Sequence, residues 1–588
     1  MFGYIKERNI KRGTSMKEDI SLEMNFDRRI INTSKMLLIF MTAIFCLTGV
    51  LFFAGISISY INIVIPFGVM LWGRYKFFEG NNKDFFCDVI ISFVVLGIFI
   101  LMASNVYDNT WDGSAYHKQA VGLLKDGWNP IYMLSDKFNN AALSVRYPKD
   151  GPLLWAEAYP KATWYFAASI YFITGNIEAG KCYTLIFAYI TYGICLEFFK
   201  NKISGTCSKI VALFIALNPI VCVQFQSYYL DGVVSCILAM LIIKFIDIVD
   251  SNNEKISKLQ YIEIFCLIVW GCNLKFSVVI FIVTFCAVFC LFMWIKYKKI
   301  DLKNTAVLFT DGIISVFVFG FAPYITNCIR HGNMFYGLVG MMKEENMQLE
   351  FGVDGLNRTG RFLCSLFGKM SHGEYKTLGT VLKIPFTFST RELDFYSIVD
   401  LRVGGFGVFF SGLLITSILI IILEVLKRKR EKDFSLSFIF VLSLIVLSLI
   451  EFCILPQTSQ FRYIPHMYLC LIFAVYLLMK RWNDKMIYKV LGIICSLLMI
   501  LNIMPWGYNA IKRLGEGINT TAVLKGMEDE CEKSGIVYDV AFYCDDFTGM
   551  HYNLKDYKIK YVYTPIAEIG EDYQLTYSNW LYYKIIAQ

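Results

Sequence analysis

Long apolar stretches alternate with short polar connectors along most of this chain. Most of the apolar blocks are roughly 18 to 23 residues long, the length that carries an α-helix across a bilayer. They fall at about 36–55, 57–74, 86–104, 178–199, 206–224, 231–249, 259–274, 277–296, 305–326, 404–426, 434–455, 464–481 and 486–506. The pattern predicts an all-α polytopic membrane protein with about 13 transmembrane helices.

The connectors between the blocks sort by charge. Short ones such as KYKKIDLKN and LKRKREKD are rich in Lys and Arg, as is the N-terminal segment, which places them on the cytoplasmic side. The apolar stretch ATWYFAASIYFITG, residues 162–175, is too short to span easily, and a crossing there would invert every later basic loop. We therefore expect an interfacial or half-buried helix at 162–175, a cytoplasmic N-terminus and an extracytoplasmic C-terminus.

Composition agrees with a membrane protein and narrows its partners. The chain has 588 residues, 56% of them apolar and 18% charged, with a mean hydropathy of +0.51. The net charge of +8 forms no basic stripe with interleaved aromatic residues, so nucleic acid is not an expected partner. The 18 cysteines fall mostly inside apolar blocks and lack zinc-like spacing, so no metal site is predicted. The composition, rich in Lys, Ile and Asn, suggests that the protein lies in a bacterial cytoplasmic membrane.

Three regions are expected along the chain. Residues 1–85 hold the N-terminus and two extra helices, and residues 86–506 hold the main transmembrane region with outer loops at about 105–177 and 327–403. Residues 507–588 form a small outer α/β unit, because TTAVLKGMEDECEKSG predicts a helix ending at Gly535 and VYDVAFYC and KIKYVYT alternate like strands.

The stretch YDNTWDGSAYHKQ, residues 107–119, places two aspartates and a histidine just after an apolar block. Asp112 precedes a helical pattern that stops at Gly127, so its simplest role is a helix N-cap, with Trp111 as an interfacial anchor. An ionisable group at membrane depth, however, usually faces a cavity or a partner. Asp112 is therefore also a candidate for chemistry.

Other ionisable and polar residues fall on the same predicted face. Several of them also have a purely structural explanation. Asp231 can cap its own helix, Lys275 can extend to the interface, and Arg462 can pair with Glu451. His331, like His117, can be an ordinary polar residue. If the loops converge, they build a pocket with at least two carboxylates, one Lys and several Arg. The residues on this face are Asp231, Lys275, Asn327, Arg330, His331, Asp400, Arg402, Arg462, Tyr463 and His466.

Such a pocket suits a sugar donor that is linked by phosphate to a polyprenyl lipid. Arg and Lys would stabilise the departing phosphate, and a carboxylate would take the proton of an acceptor hydroxyl. No nucleotide donor is expected, because the chain has no Gly-rich phosphate loop.

The motifs WDGSAYH, RYPKDGPLLW through ATWYFAASIYFITG, YYLDG and QFRYIP follow one another along the chain. Together they resemble motifs of the GT-C class of membrane glycosyltransferases, which includes protein O-mannosyltransferases and the aminoarabinose transferases of lipid A. WDGSAYH is similar to the acidic motif of the first outer loop, and RYPKDGPLLW through ATWYFAASIYFITG to the interfacial helices that follow. YYLDG resembles the second acidic loop, and QFRYIP resembles an R-Y-x-P element near the last spans. The resemblance covers about residues 86–506 as an architecture.

The resemblance implies an inverting glycosyltransferase that acts on the extracytoplasmic face. Asp112 becomes the general base, Asp108 a second candidate, and His117 orients the base or the acceptor. The substrate-binding residues are then Tyr116, Asp231, Lys275, Asn327, His331, Arg402, Arg462 and Tyr463. No cofactor is required. A divalent cation is left open, although the motif lacks the adjacent acidic pair seen in oligosaccharyltransferases.

The expected partners are the polyprenyl-phosphate sugar donor, membrane lipids, and a glycan, lipid or protein acceptor. One alternative is an O-antigen-like polymerase or ligase, with chemistry on the long second loop. Its candidate residues are Arg358, Arg361, His372 and Arg391. The other is a flippase or transporter of lipid-linked sugars. The sequence has no internal repeat of the kind that transporters commonly show.

Overall fold

The structure, a computed structural model, describes residues 2–135, 152–251, 255–299, 301–339, 356–372, 378–400 and 402–587, with side chains from residue 24 onward except at 152, 153, 339, 378 and 587. Parts of the predicted outer loops at 105–177 and 327–403, including RYPKD of the interfacial segment, lie outside these ranges.

The described part of the membrane region is mostly helical. Its α-helices are Phe2–Phe53, Ile61–Phe77, Asn82–Ser104, Lys118–Lys125, Pro152–Ala158, Ala162–Thr174, Tyr183–Phe199, Gly205–Ala216, Pro219–Gln224, Asp231–Asp250, Lys258–Leu274, Phe276–Tyr297, Leu302–Ile314, Phe321–His331, Tyr336–Val339, Arg358–Leu366, Leu378–Val381, Thr390–Asp394, Phe410–Glu431, Leu436–Ile454, Leu469–Lys480 and Met486–Ser534. Shorter 3₁₀ and π segments are Gly113–His117, Ile177–Cys182, Ser315–Phe319, Phe395–Ser397, Phe461–Tyr463 and Pro465–Tyr468.

The predicted apolar blocks are all helical. Within the described ranges, nine helices are long and apolar enough to cross a membrane, and each coincides with a predicted block. The four other blocks, 57–74, 206–224, 259–274 and 464–481, form shorter helices. The chain is therefore a multi-pass helical membrane protein, and the count of 13 stays a prediction.

The block at 206–224 differs from its prediction because it is two helices rather than one. The first helix ends at Ala216, and the Asn218 side chain caps the next by accepting hydrogen bonds from the amides of Ile220 and Val221. Pro219 then occupies the first turn, where its missing N–H costs nothing. An Asn-Pro pair inside an apolar run thus divides the helix.

The short helix at 162–175 is confirmed as Ala162–Thr174. It ends where Gly175 adopts a left-handed conformation (φ 65°), which only glycine takes at little cost. Most of its side chains are buried within the protein. Its position relative to the membrane stays a prediction.

Four charged side chains from four helices meet inside the membrane region, at the end that carries the short basic connectors. We call Lys35, Glu197, Lys244 and Glu263 the lysine–glutamate quartet. Lys35 lies 2.6 Å from Glu197 and 3.2 Å from Glu263, and Lys244 lies 3.2 Å and 2.6 Å from the same two carboxylates. Each Lys bridges both Glu, so the quartet balances its own charge.

The C-terminal region is a small α/β domain, as the sequence predicts. Its strands are β1 (Val537–Phe542), β2 (Tyr561–Tyr563), β3 (Gln574–Leu575) and β4 (Leu581–Ala587), in the order β2-β1-β4-β3, with helix Met550–Asp556 and 3₁₀ turn Ile566–Glu568. β1 pairs in parallel with β2 and antiparallel with β4. The helix predicted to end at Gly535 is the end of Met486–Ser534, which runs unbroken from the last apolar block into this domain.

The C-terminal domain packs on the first long loop through a buried polar network. The Glu178 carboxylate pairs with Lys118 and Lys181, and it accepts a hydrogen bond of 2.9 Å from the Asn553 amide. The ring of Trp580 stacks on Tyr107 at 5.7 Å. Because a buried charge is tolerated only when it is paired, this network fixes the domain against the loop.

Candidate active site

A cavity of about 1170 Å³ lies between the loops of the membrane region and the C-terminal domain. Its volume exceeds that of a typical small-molecule site, roughly 300–1,000 Å³, so it has room for more than one substrate group. We call it the arginine cavity, after Arg402, Arg462 and Arg513 in its lining. The loops predicted to share one face therefore do converge.

Arg462 joins the two carboxylates of the cavity. Its Nη1 lies 3.4 Å from Asp112 Oδ2, and its Nε lies 3.1 Å from Asp400 Oδ1. The second contact is an ion pair without hydrogen-bond geometry, and neither atom has a hydrogen-bond partner among the described residues. The Tyr463 hydroxyl accepts a hydrogen bond of 2.9 Å from Arg462 Nη2. A guanidinium held this way is fixed in position but keeps capacity to bind another anion.

The cavity carries more positive than negative charge. Arg402 donates two hydrogen bonds, of 3.0 and 3.1 Å, to Asp400 Oδ2, and His372 Nε2 lies 3.1 Å from the same oxygen. Three Arg and one His thus line the cavity together with only two Asp. An anionic ligand would balance this excess.

Lys275 and Asp231 form an ion pair beside the cavity. The Lys275 ammonium also lies 4.7 Å from the centre of the Tyr463 ring, a cation–π distance. Asp231 accepts a second hydrogen bond, of 3.0 Å, from Gln224. Asp231 and Lys275 therefore pair with each other, in place of the helix cap considered for Asp231 and the extension to the interface considered for Lys275.

Asp112 lies in the first turn of a helix, and among the described residues only its Oδ2 has a polar partner. The helix starts at Trp111, one residue after Thr110, and includes the π turn Gly113–His117. Asp112 makes no capping hydrogen bond, so the N-cap role is wrong; the Thr110 hydroxyl accepts from the Gly113 amide instead. Asp112 keeps 22% of its side-chain surface exposed, and in the described part of the chain its only ion pair is with Arg462.

The helix of Asp112 is held by the C-terminal domain. The amide of Gly549 donates a hydrogen bond of 2.7 Å to the Ser114 carbonyl, and the Thr548 hydroxyl donates one of 3.3 Å to the Ala115 carbonyl. Gly113 lies close to Asp108: a Cβ atom added at Gly113 would lie 2.1 Å from the Oδ2 of Asp108. These contacts fix the turn that carries Asp112.

The two carboxyl groups of the cavity have opposite pKa shifts. Burial raises the pKa of Asp112 above its ordinary value, and Arg462 offsets this only in part. Burial also acts on Asp400, but Arg462, His372 and Arg402 outweigh it and hold its pKa well below the usual range. Two carboxylates with separated pKa values suit different roles: Asp112 as a base and Asp400 as a permanent anion.

Two of the three predicted catalytic residues do not line the cavity. Asp108 is buried and accepts hydrogen bonds from Thr110 and, at 2.6 Å, from the amide of Tyr228. His117 is buried with its Nδ1 accepting a hydrogen bond of 2.6 Å from Trp164. Burial lowers the pKa of His117 well below its usual value, so the ring is neutral. Both residues stabilise the loop, and the structure brings neither to Asp112.

The predicted substrate-binding residues divide in the same way. Arg402, Arg462 and Tyr463 line the cavity, and Lys275 and Asp231 pair beside it. Tyr116 packs under Trp155, with ring centres 5.4 Å apart. Asn327 donates a hydrogen bond to the Ala158 carbonyl, and His331 stacks on Tyr336; neither lines the cavity.

The alternative candidates fare unevenly. Of Arg358, Arg361, His372 and Arg391, proposed for a polymerase or ligase, only His372 lines the cavity. The pairing of Arg462 with Glu451 is wrong, because Glu451 accepts a hydrogen bond from Thr284 while Arg462 binds the two aspartates.

Several residues of the cavity carry no sequence signal. Arg513 lies beyond the last apolar block, and Tyr543, Leu575 and Asn579 belong to the C-terminal domain. Gln457 and Gln460 precede Arg462 in PQTSQFRY, where a pair of amides next to an Arg is a weak hint at most. Only the packing of distant segments brings these side chains together.

A metal site is not evident in the described residues. Within these ranges, no three His, Cys, Asp or Glu side chains gather as metal ligands would. Asp112 and Asp400 are joined through Arg462 instead.

Comparison with known proteins finds one kind of similarity. No protein-family model and no curated protein sequence matches the chain. Its structure is similar to the crystal structure of ArnT from Cupriavidus metallidurans bound to undecaprenyl phosphate, with 8% identity, a TM-score of 0.43, and coverage of 84% of this chain and 97% of that one.

Proposed function

We propose that the protein is an inverting glycosyltransferase that uses a polyprenyl-phosphate-linked sugar as donor and an acceptor hydroxyl as nucleophile. One observation carries the proposal: a partly exposed carboxylate, Asp112, lies beside Arg462 in a cavity with an excess of positive charge. A base and an anion clamp within one cavity are the two parts that such a transfer needs.

In the proposed step, Asp112 takes the proton of the acceptor hydroxyl as its oxygen attacks the anomeric carbon of the donor sugar. The new carbon–oxygen bond forms while the bond from that carbon to the phosphate oxygen breaks. The electron pair leaves with the phosphate, and a single displacement inverts the anomeric centre. The raised pKa of Asp112 makes its carboxylate a better proton acceptor than an ordinary aspartate.

The leaving phosphate gains negative charge in this step. Arg462, Arg402 and Arg513 provide guanidinium groups in the same cavity, and planar guanidinium groups bind phosphate through paired hydrogen bonds. Asp400 holds Arg462 and Arg402 in place, so these guanidinium groups need little reorganisation when negative charge develops on the phosphate.

The proposed reaction takes place on the extracytoplasmic face. The short basic connectors mark the opposite end of the membrane region as cytoplasmic by the positive-inside rule. The arginine cavity lies at the end that carries the C-terminal domain, next to the loops between spans. A lipid-linked donor fits this place, because its tail stays in the bilayer while its phosphate lies at headgroup level.

The proposal is tested by turnover of a labelled polyprenyl-phosphate sugar by the purified protein in lipid vesicles, with water or an added hydroxyl compound as acceptor. Release of polyprenyl phosphate together with an anomerically inverted sugar product is the expected result. Release with retained configuration would contradict the single displacement.

The same vesicles separate the transferase from a transporter. Movement of intact donor across the bilayer without release of polyprenyl phosphate would overturn the proposed function and favour the flippase. Vesicles with Lys202→Met, a change at the opposite end of the membrane region, serve as a matched control. This variant should release polyprenyl phosphate at the wild-type rate.

A further inference from the structure

The arginine cavity has two chemically different sides. The loops of the membrane region supply the charged groups Asp112, Asp400, Arg402, Arg462 and His372, and the helix Met486–Ser534 supplies Arg513. Beyond that helix, the C-terminal domain supplies Tyr543, Leu575 and Asn579, none of which is charged. The Asn109 side chain links the two sides by donating a hydrogen bond of 3.1 Å to the Ser578 carbonyl. The uncharged side therefore lines the same arginine cavity as Asp112, the proposed base.

Exposed aromatic rings line this cavity. Tyr543 is 59% exposed and Trp111 is 37% exposed, although large aromatic side chains usually gain from burial. Trp111 packs edge-on against Trp155, which also lines the cavity, with ring centres 5.2 Å apart. These rings offer flat apolar faces to whatever enters the cavity.

Amide side chains accompany the rings. Asn109, Gln457, Gln460 and Asn579 all line the cavity, and amides both donate and accept hydrogen bonds. Gln460 is only 3% exposed, yet its Oε1 has no hydrogen-bond partner in the described part of the chain. A buried acceptor without a partner is costly, so it points to a donor supplied by a ligand.

Two of the amide residues also hold unusual backbone conformations. Gln457 has φ 62° and Asn579 has φ 52°, from opposite sides of the cavity. Left-handed conformations of non-glycine residues cost free energy and concentrate at ligand sites. The fold thus holds Gln457 and Asn579 at the cavity at a cost in backbone conformational free energy.

We propose that the acceptor is a neutral glycan and that the C-terminal domain binds it through Tyr543. A sugar ring has an apolar face that fits an aromatic ring, and its hydroxyl groups both donate and accept hydrogen bonds, as amides do. Among the described lining residues after Ser534 there is no cation that could pair with an anionic acceptor. This inference rests on the proposed function and adds its acceptor class.

The test measures binding of neutral tetrasaccharides to the full-length protein without donor. The panel is α-1,4-glucan, β-1,4-glucan, α-1,6-mannan and β-1,4-linked N-acetylglucosamine tetrasaccharides, each followed by calorimetry and by tryptophan fluorescence. Saturable binding of at least one of them is expected. Tyr543→Ala should weaken that binding by about tenfold or more, and Tyr543→Phe should retain it, because the ring supplies the contact.

Tyr577→Ala is the matched control. Tyr577 is also 59% exposed on the C-terminal domain, but it does not line the cavity, so its loss should leave saccharide binding unchanged. Tyr543→Ala should also leave the affinity for the polyprenyl-phosphate donor unchanged, because the donor phosphate binds the charged side.

Each remaining outcome is decisive for one proposal or the other. Failure of all four saccharides to bind, equal binding by Tyr543→Ala, or glycosylation of peptide or lipid acceptors in their place would overturn the glycan assignment. Weaker donor binding in Tyr543→Ala would overturn the division of the cavity into two sides. Absence of any donor turnover would overturn the proposed transferase, whereas saccharide binding without donor would still support the glycan site.

Discussion

The lysine–glutamate quartet and the arginine cavity are both clusters of charge in an apolar molecule, but they differ in how the charge is balanced. In the quartet, two Lys each bridge the same two Glu, and three of the four side chains are less than a tenth exposed. In the cavity, three Arg and a His face two Asp, and only the Oδ2 of Asp112 has a polar partner among the described residues. A closed set of pairs holds helices together, whereas an unbalanced set is suited to bind a ligand.

The presence of empty space does not explain this difference. A cavity of about 340 Å³ adjoins the quartet, against about 1170 Å³ at the arginine cavity. The distinguishing features are the excess of positive charge, the Asp112 carboxylate oxygen without a polar partner in the described residues, and the exposed aromatic rings. The comparison therefore predicts that changes at the two clusters affect different quantities.

Removal of Arg462 should have the largest effect on transfer. Arg462→Ala removes a guanidinium that touches both aspartates and that, in the proposed reaction, faces the leaving phosphate. We expect the rate of transfer to fall by about 10²- to 10³-fold, as for loss of a donor that stabilises a developing charge. The measurement is kcat with a labelled donor. Arg391→Ala, at an exposed Arg outside the cavity, should stay within a few-fold of wild type, and an equal loss there would contradict the assignment.

Removal of Lys244 should reduce stability rather than the rate of transfer. Lys244→Met leaves Glu197 and Glu263 with one cation between them in a mostly buried place. We expect a loss of about 3 kcal/mol in the free energy of unfolding, as for other broken buried pairs. Denaturation in detergent measures it. Lys202→Met, which breaks a half-exposed pair with Asp250, should cost less than about 1 kcal/mol. Loss of transfer at unchanged stability in Lys244→Met would remove the distinction between the clusters.

The pH dependence of transfer should show a smaller effect. In the proposed reaction Asp112 acts only when ionised. Because its pKa is raised above 3.8, kcat/KM should rise with pH along an acidic limb above the ordinary carboxyl range. Tyr229, Asp400, Arg462 and the Lys275–Asp231 pair also surround Asp112, and His372 binds Asp400. The limb should persist in His372→Gln; its disappearance there would assign it to the histidine.

The raised pKa of Asp112 also predicts how the stability of the fold changes with pH. A carboxyl whose pKa is higher in the folded than in the unfolded chain binds its proton more tightly when folded. The contribution of Asp112 to stability is therefore greatest at low pH and is lost as the pH rises through its folded pKa. Comparison of wild type with Asp112→Asn over that range should show a slope in the first that is missing from the second.

Local sequence patterns predicted the elements of the fold well. Apolar length gave the helices, Gly175 and Gly535 marked helix ends, and alternation gave strands β1 and β2, because these signals arise from neighbouring residues. Strands β3 and β4 were not predicted. The Asn218-Pro219 break was missed inside an apolar run, where hydropathy outweighs a single cap.

The candidate site was predicted only in part, because its geometry depends on distant contacts. Asp112, Arg402, Arg462 and Tyr463 reach the cavity as expected. Asp108 does not, because the amide of Tyr228, 120 residues away in sequence, takes its carboxylate. The wall formed by Tyr543 and Asn579 could not be predicted at all, since it depends on the docking of a domain more than 400 residues from Asp112 in the chain.

The most direct test of the central claim is transfer by purified Asp112→Asn, measured beside donor binding. The account predicts that transfer falls by at least about 100-fold, because the amide cannot accept the acceptor proton, while donor affinity stays within about threefold of wild type. Asp126→Asn, at the end of the same helix and outside the cavity, is the control and should transfer at the wild-type rate. Transfer by Asp112→Asn at the wild-type rate would contradict the assignment of Asp112 as the base.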